Sequence, residues 1–286
     1  MSSIQYGPFE RFALKKAGPG VRGLLVRLGH QIDGDLLNSF PDLKVLASAT
    51  TGTNHIDLDV CRKKGIEVVT LQGETEFLDQ ISSTAEHAFG LILALAKNTS
   101  SAFNAVKLNG FGRGNQVGLD LSGKTLGIIG FGRLGRKVSA FAKTFGMKVI
   151  ACDIKNLNDD GISQVGMDEL LNKADVVSLH ASHTNGELPL LDATAFNKMK
   201  NGALLVNTAR GELINEKDLL DALTSEKISA ALDVVNNETE RSDPDPLIVY
   251  ARQYDNLILT PHIGGATIDS MEKAELFIVN KMISKL

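Results

Sequence analysis

Short apolar runs alternate with amphipathic stretches along most of the chain, and that alternation predicts parallel sheets covered by helices. Residues 23–27, 44–48 and 66–70 read as strands, with helices over 34–40 and 58–64 between them. The second of these helices stops at Gly65 after two lysines, a chemically sensible C-terminus. Residues 84–96 follow, apolar on nearly every side, which predicts a buried helix joining two domains. Residues 97–122 are polar, glycine-rich and irregular, so the domain boundary is placed there. A second series predicts strands over 125–129, 148–152, 175–179, 203–207, 229–233 and 257–259, with helices over 134–145, 168–172 and 215–223. Asn215 is the expected N-cap of the last helix, with Glu216 and Asp218 in its first turn. Strands joined by crossovers in this way predict a doubly wound α/β sheet. The first twenty residues hold a turn over 17–20 and no assignable element.

One turn in the second series carries chemistry. Gly130-Phe131-Gly132-Arg133-Leu134-Gly135 directly follows the apolar strand over 125–129 and opens an amphipathic helix. With 27 glycines in 286 residues, a bare G-x-G-x-x-G is expected by chance about 0.2 times per chain, so its context is what makes it specific. In that context Gly130 permits the tight turn, Gly132 lets a pyrophosphate approach the backbone, and Gly135 lets helix and strand pack closely. The N–H groups and positive dipole end of the helix, from Arg133 and Leu134 onward, then bind the phosphates. Asp153 closes the next strand about 20 residues on, where a carboxylate binds ribose hydroxyls and repels a 2′-phosphate; this favours NAD over NADP. Lys155 tempers that preference slightly.

Composition narrows the partners. Charged residues make up 22% and the net charge is −4 with both signs interspersed, which argues against a nucleic-acid binder. The longest wholly apolar run, 88–96, is far shorter than the ~20 residues that span a bilayer. The N-terminus has no basic-then-apolar leader. Cys61 and Cys152 have neither disulfide-framework nor metal-ligand spacing, which fits reduced thiols in a cytoplasmic protein and no metal.

Three residues at the C-terminal ends of later strands can carry a reaction, the edge at which open α/β sheets bind ligands. Arg210 follows the strand over 203–207, Glu238 lies beyond Asp233, and His262 follows the strand over 257–259. Histidine titrates near neutrality and serves as acid or base. A carboxylate beside it fixes the ring tautomer and raises its pKa. Arginine offers a planar two-point grip on a carboxylate.

The motifs Gly-Lys-Thr-Leu-Gly-Ile-Ile-Gly-Phe-Gly-Arg-Leu-Gly-Arg (123–136), Asn-Thr-Ala-Arg-Gly-Glu-Leu-Ile-Asn (207–215), Ala-Leu-Asp-Val (231–234) and Thr-Pro-His-Ile-Gly-Gly-Ala-Thr (260–267) are similar to those of the D-isomer-specific 2-hydroxyacid dehydrogenases. The resemblance runs from about residue 22 to the C-terminus. It implies a Rossmann domain over 98–265 and a smaller, N-terminally trimmed flavodoxin-like substrate domain over 1–97 and 266–286. It also implies hydride transfer between NAD(H) and C2 of a 2-hydroxy or 2-keto acid, in a homodimer. Arg210, Glu238 and His262 take the family's catalytic positions. Thr84, His180, Thr208, Ala209, Asp233, Gly264 and Gly265 are expected around the cofactor. Gly52, Thr53 and Asn54 resemble the substrate-carboxylate loop in its phosphoglycerate dehydrogenase form, and Arg27 points to the same edge, which hints at a multiply anionic acid.

The sequence departs from the family in four places. The N-terminal domain is short by one strand–helix unit, and the family's His-Val-Pro-Leu-Thr reads His180-Ala-Ser-His-Thr184. The stretch over 227–233 is shortened, leaving Glu240 as the alternative to Glu238, and the loop over 73–83 is long. No C-terminal regulatory domain is expected. A catalytically silent NAD(H)-binding protein, serving redox sensing or scaffolding, is the alternative these departures keep open.

Overall fold

A computed structural model describes residues 7, 9–111, 117–157, 159, 161–184, 186–238, 241 and 243–286. The chain forms two compact units, residues 1–81 with 267–286, and residues 82–266.

In the first unit the order is α1 (Arg11–Lys16), β1 (Gly23–Val26), α2 (Gly34–Leu37), β2 (Val45–Ser48), α3 (Leu58–Lys63), β3 (Glu67–Val69) and α4 (Thr75–Asp79). The three strands pair in the order β1-β2-β3, all parallel, with Gly23 opposite Val45 and Val45 opposite Glu67. Asp33 and Asp57 start α2 and α3 by accepting the Leu36 and Val60 amides at 2.8 and 2.9 Å.

The second unit holds α5 (Ser83–Ala96), α6 (Thr99–Asn109), β4 (Thr125–Ile129), α7 (Arg133–Thr144), β5 (Lys148–Cys152), β6 (Ser163–Gln164), α8 (Met167–Lys173), β7 (Val176–Leu179), α9 (Ala193–Lys198), β8 (Ala203–Asn207), α10 (Glu216–Thr224), β9 (Ile228–Leu232), α11 (Pro246–Gln253) and β10 (Leu257–Leu259). A final helix, α12 (Ile268–Ile283), returns to the first unit, where Ala274 and Ile278 pack with Val45, Ala47, Val69 and Leu71.

The large sheet runs β10-β9-β8-β7-β4-β5-β6 and is parallel throughout. Strand order reverses between β4 and β7, the switch point at which a crevice opens above the strand ends. Its central strands are buried on both faces: every residue of β7 and β8 is buried, as continuous apolar runs in parallel sheets require.

Several elements differ from the sequence expectation. The boundary expected at 97/98 falls at 81/82, because α5 packs with Leu126, Ile128, Val138 and Val206 in one core of the second unit. The stretch expected to be irregular contains α6, none of whose residues is buried. The edge strand β6 is two exposed residues long. Helices α1 and α4 occupy stretches read as a turn region and a loop. Asn215 caps α10 as expected, accepting the Lys217 and Asp218 amides at 3.1 and 3.2 Å.

Candidate active site

The glycine turn sits at the C-terminal end of β4. Gly130 has φ +90°, and a Cβ there would lie 2.5 Å from the Ala181 nitrogen. A Cβ on Gly135 would lie 2.4 Å from the Gly130 carbonyl oxygen. Both positions therefore exclude any side chain, one for the turn and one for the approach of α7 to β4. At Gly132, the N-cap of α7, a Cβ would meet nothing within 4 Å, so the outer face of the turn is open. The first-turn N–H groups of a helix have no intrahelical acceptor, and here they start at Arg133 and Leu134 beside that open face. Asp153, just after β5, accepts the Phe131 amide at 2.7 Å and the Lys155 amide at 2.8 Å, which ties it to the turn.

Two buried polar atoms at neighbouring strand ends have no protein partner: His180 Nδ1 beyond β7 and Thr208 Oγ1 beyond β8. Burial pushes the His180 imidazole down to about 4, so it is neutral at physiological pH, with Nε2 2.9 Å from Ser178 Oγ. An open glycine turn, a helix N-terminus, an acid at the end of the second strand and orphaned polar atoms at the switch point fit a dinucleotide. Ala209 is buried in the same segment, its amide fixed by Asn207 Oδ1 at 2.9 Å.

The reactive cluster forms along the adjoining strand ends. His262 Nδ1 donates to Glu238 Oε2 at 2.7 Å. That bond lifts the His262 pKa above its ordinary value; burial and the Arg210 charge oppose it, and the charges of Glu238 and Asp233 add to it. Burial works against ionising Glu238, but the His262 bond and charge, the Val235 amide and Arg210 outweigh it and hold the carboxyl below its usual range. Arg210 is half-buried, Nη1 donating to the Ala209 carbonyl at 2.6 Å while Asn207 Nδ2 donates to the Arg210 carbonyl at 2.7 Å. With Nδ1 held by Glu238, Nε2 is the nitrogen left to exchange a proton with a ligand. Of the two glutamates considered from sequence, Glu238 is the one bonded to His262, and Glu240 lies outside the described residues.

His262 has φ +53°, a left-handed conformation that histidine tolerates better than most residues. Asp233, 2% exposed, holds it there. Its main-chain oxygen accepts the His262 amide at 2.9 Å, and its carboxylate accepts the Ile263 amide at 2.9 Å, the Gly264 amide at 2.8 Å and Thr260 Oγ1 at 2.6 Å. Asp233, expected at the cofactor, is thus also the anchor of the histidine loop. His87 on α5 adds a contact: Nε2 is 3.1 Å from Thr260 Oγ1 and 3.3 Å from Asp233 Oδ1. Nothing local in the sequence marks it, because its partners lie far along the chain. A Cβ on Gly264 would lie 2.9 Å from Asp233 Oδ2, so this glycine lets the loop close on the Asp233 carboxylate, while a Cβ on Gly265 would have Thr84 Oγ1 as its nearest neighbour at 4.0 Å.

In the first unit the loop after β2 is pinned from below. Thr50 Oγ1 donates to the Gly52 carbonyl at 2.8 Å, the Ile56 amide donates to the Thr53 carbonyl at 2.8 Å, and Gln31 Nε2 donates to the Asn54 carbonyl at 3.2 Å. His55 is buried with Nε2 3.1 Å from Ser48 Oγ, and burial lowers its pKa. Arg27 is ion-paired with Glu275 of α12.

A dinucleotide cradle, with an arginine and a carboxylate-bound histidine at neighbouring strand ends, fits a nicotinamide-dependent oxidoreductase. Residues 89–264 match the family model described as the D-isomer specific 2-hydroxyacid dehydrogenase NAD-binding domain. A hydroxypyruvate reductase of Thermotoga maritima is 34% identical, over 97% of this chain and 89% of that protein. A D-3-phosphoglycerate dehydrogenase of Archaeoglobus fulgidus is 32% identical over 93% of this chain, but this chain spans only 50% of it. A D-lactate dehydrogenase from Aquifex aeolicus, solved with NAD and lactic acid, aligns with a TM-score of 0.79 and 31% identity, covering 95% of this chain and 85% of that one. The chain belongs to the D-isomer-specific 2-hydroxyacid dehydrogenase family and is an NAD-dependent oxidoreductase of that family. No helix among the described residues is long and apolar enough to cross a membrane.

Proposed function

We propose that the protein interconverts a small 2-keto acid and the matching D-2-hydroxy acid, with His262 as the acid/base, Glu238 as its partner and Arg210 as the grip on the substrate carboxylate. The carrying observation is the His262–Glu238 bond with Arg210 close enough to act on both groups. NAD(H), held by the glycine turn, Asp153 and the strand ends at His180, Thr208 and Ala209, supplies or accepts the hydride at the substrate's C2 when bound. In the reducing direction His262, protonated on both nitrogens because Glu238 favours its charged form, gives its Nε2 proton to the keto oxygen. In the oxidising direction the neutral ring takes the hydroxyl proton. The Arg210 guanidinium fixes the carboxylate and draws the adjacent oxygen toward the imidazole.

The resemblance supports the loop at Gly52, Thr53 and Asn54 as a proposed carboxylate-binding loop, through main-chain amides. A short uncharged side chain on the acid suits this set, because Arg27 already has Glu275 as counter-ion. The test is NADH oxidation, followed by absorbance, with glyoxylate, hydroxypyruvate, pyruvate, phosphohydroxypyruvate and 2-oxoglutarate. Turnover is expected on at least one of the unphosphorylated acids. NADH binding with no turnover on any of the five would instead make the chain a silent redox-sensing or scaffolding relative. The unpaired thiols Cys61 and Cys152 fit the cytoplasm. Exposed Phe103, Val106 and Leu108 on α6 fit an apolar contact with a second copy in a homodimer.

The pH profile of Glu238→Gln tests the pairing. The raised His262 pKa keeps the proton donor present below that pKa and loses it as pH rises through it, so reductase activity has an alkaline limb set by His262. Glutamine removes the charge that raises it. The limb is expected to move to lower pH and the maximal rate to fall; an unmoved limb would remove Glu238 from the mechanism.

A further inference from the structure

The turn that carries Glu238 has its own clamp. Arg241 is only 15% exposed and all three parts of its fork are used. Nε donates to the Asn236 carbonyl at 2.7 Å, Nη1 to Asp245 Oδ2 at 2.6 Å, and Nη2 to Glu216 Oε1. Glu216 Oε1 also accepts the Asn236 amide at 2.7 Å. Both main-chain groups of Asn236 are therefore fixed, one by Arg241 directly and the other through Glu216. The two carboxylates are themselves anchored: Glu216 opens α10, and Asp245 caps α11 by accepting the Leu247 and Ile248 amides at 2.9 and 3.1 Å.

The next residue, Asn237, has φ +49°, and Glu238 follows with its Oε1 3.3 Å from the Val235 amide. Glu238 is about one-third exposed, with side-chain accessibility of 35%. A long, partly exposed glutamate gives up rotamer freedom when it is held on one partner. Whether it stays on His262 then depends on where its backbone starts, and that start is what the Arg241 fork fixes. Lysine is no substitute, since a single ammonium on a flexible stem cannot meet a carbonyl and two carboxylates from one plane.

We propose that Arg241 is a positioning residue for the reaction: it locks Asn236 between α10 and α11 and thereby holds Glu238 on His262. This rests on the acid/base reading of Glu238 and His262 given above. Among the described residues the charged groups acting on His262 are Glu238, Asp233 and Arg210, so Arg241 reaches the imidazole through the Glu238 turn. Loosening the turn weakens the His262–Glu238 bond, which lets the His262 pKa fall and the proton donor be lost at lower pH.

The experiment compares full-length wild type with Arg241→Lys, Arg241→Met and Glu238→Gln, measuring kcat against pH for ketoacid reduction and NADH affinity by fluorescence. Both Arg241 variants are expected to lose about 10- to 100-fold in kcat, in line with a displacement of about 1 Å at a reacting group, and to keep NADH affinity. Their alkaline limb is expected to move to lower pH, and in the Glu238→Gln background Arg241→Met should move it no further. A folded Arg241 variant whose limb stays at the wild-type pH, while Glu238→Gln moves it, overturns the positioning role alone. A limb that Glu238→Gln does not move overturns the acid/base reading and this proposal together. Should both Arg241 variants fail to fold, Glu216→Gln, which removes one arm of the clamp, is read by the same two outcomes.

Discussion

Replacing His262 with alanine is expected to lower turnover by at least ~10²- to 10⁴-fold, the range over which a positioned acid/base contributes, while NADH affinity stays within about 2-fold. The separation follows from how the loop is held. The left-handed turn at residue 262 is fixed through main-chain atoms, by the Asp233 carbonyl on the His262 amide and the Asp233 carboxylate on the Ile263 and Gly264 amides. None of those bonds uses the imidazole. The glycine turn, Asp153 and the strand ends at His180 and Thr208 are likewise untouched. Alanine lacks the preference for the left-handed region that histidine and asparagine share, so His262→Asn is the useful companion. Asparagine keeps the backbone and has no titrating group. Both variants should be equally inactive by NADH absorbance; an active His262→Asn would mean that the turn, and not the proton, is what the reaction needs.

Much of this site was legible because buried parallel strands are written as continuous apolar runs, and because three glycines and an acid fall at set places around one of them. Arg210, Glu238 and His262 each follow such a run, so strand ends and chemistry could be read together. The supports of the site left no such trace. His87 meets Thr260 and Asp233 across most of the chain length, and Arg241 meets Glu216 and Asp245 through a loop with no period. Contacts of that kind are made by the fold, and a local pattern carries no record of them. Helix α6 was missed for a different reason: its apolar residues Phe103, Val106 and Leu108 are exposed and lie in a largely polar, glycine-containing stretch that reads as irregular. Helix α11 did have a signal, Asp245 as N-cap with Pro246 at the first turn, which is a helix start in its own right.

The other large effect belongs to a residue with no side chain at all. Gly211 follows Arg210 and is buried against the turn that leads to Glu238; a Cβ there would lie 2.1 Å from the Val235 carbonyl carbon and 2.4 Å from the Asn236 nitrogen. These are main-chain atoms, and Asn236 is held on both sides by Glu216 and Arg241, so the turn has little freedom to retreat. Gly211→Ala must therefore push the Arg210 segment and the Glu238 turn apart by on the order of 1 Å. Overpacking of a rigid site costs about 3 kcal/mol, which for a unit of this size corresponds to a fall in Tm of about 6–12 °C. The same displacement separates the carboxylate grip from the acid/base pair, and a ~10²-fold loss of kcat/KM is expected with it. Gly90→Ala is the control: it lies within α5, exposed, where a Cβ would meet nothing within 4 Å. There the methyl should raise stability by about 0.5–1 kcal/mol and leave turnover unchanged. Calorimetry and steady-state kinetics on the pair decide the matter; a Gly211→Ala protein as stable and as active as Gly90→Ala would show that the Arg210 and Glu238 segments are not locked together through this contact.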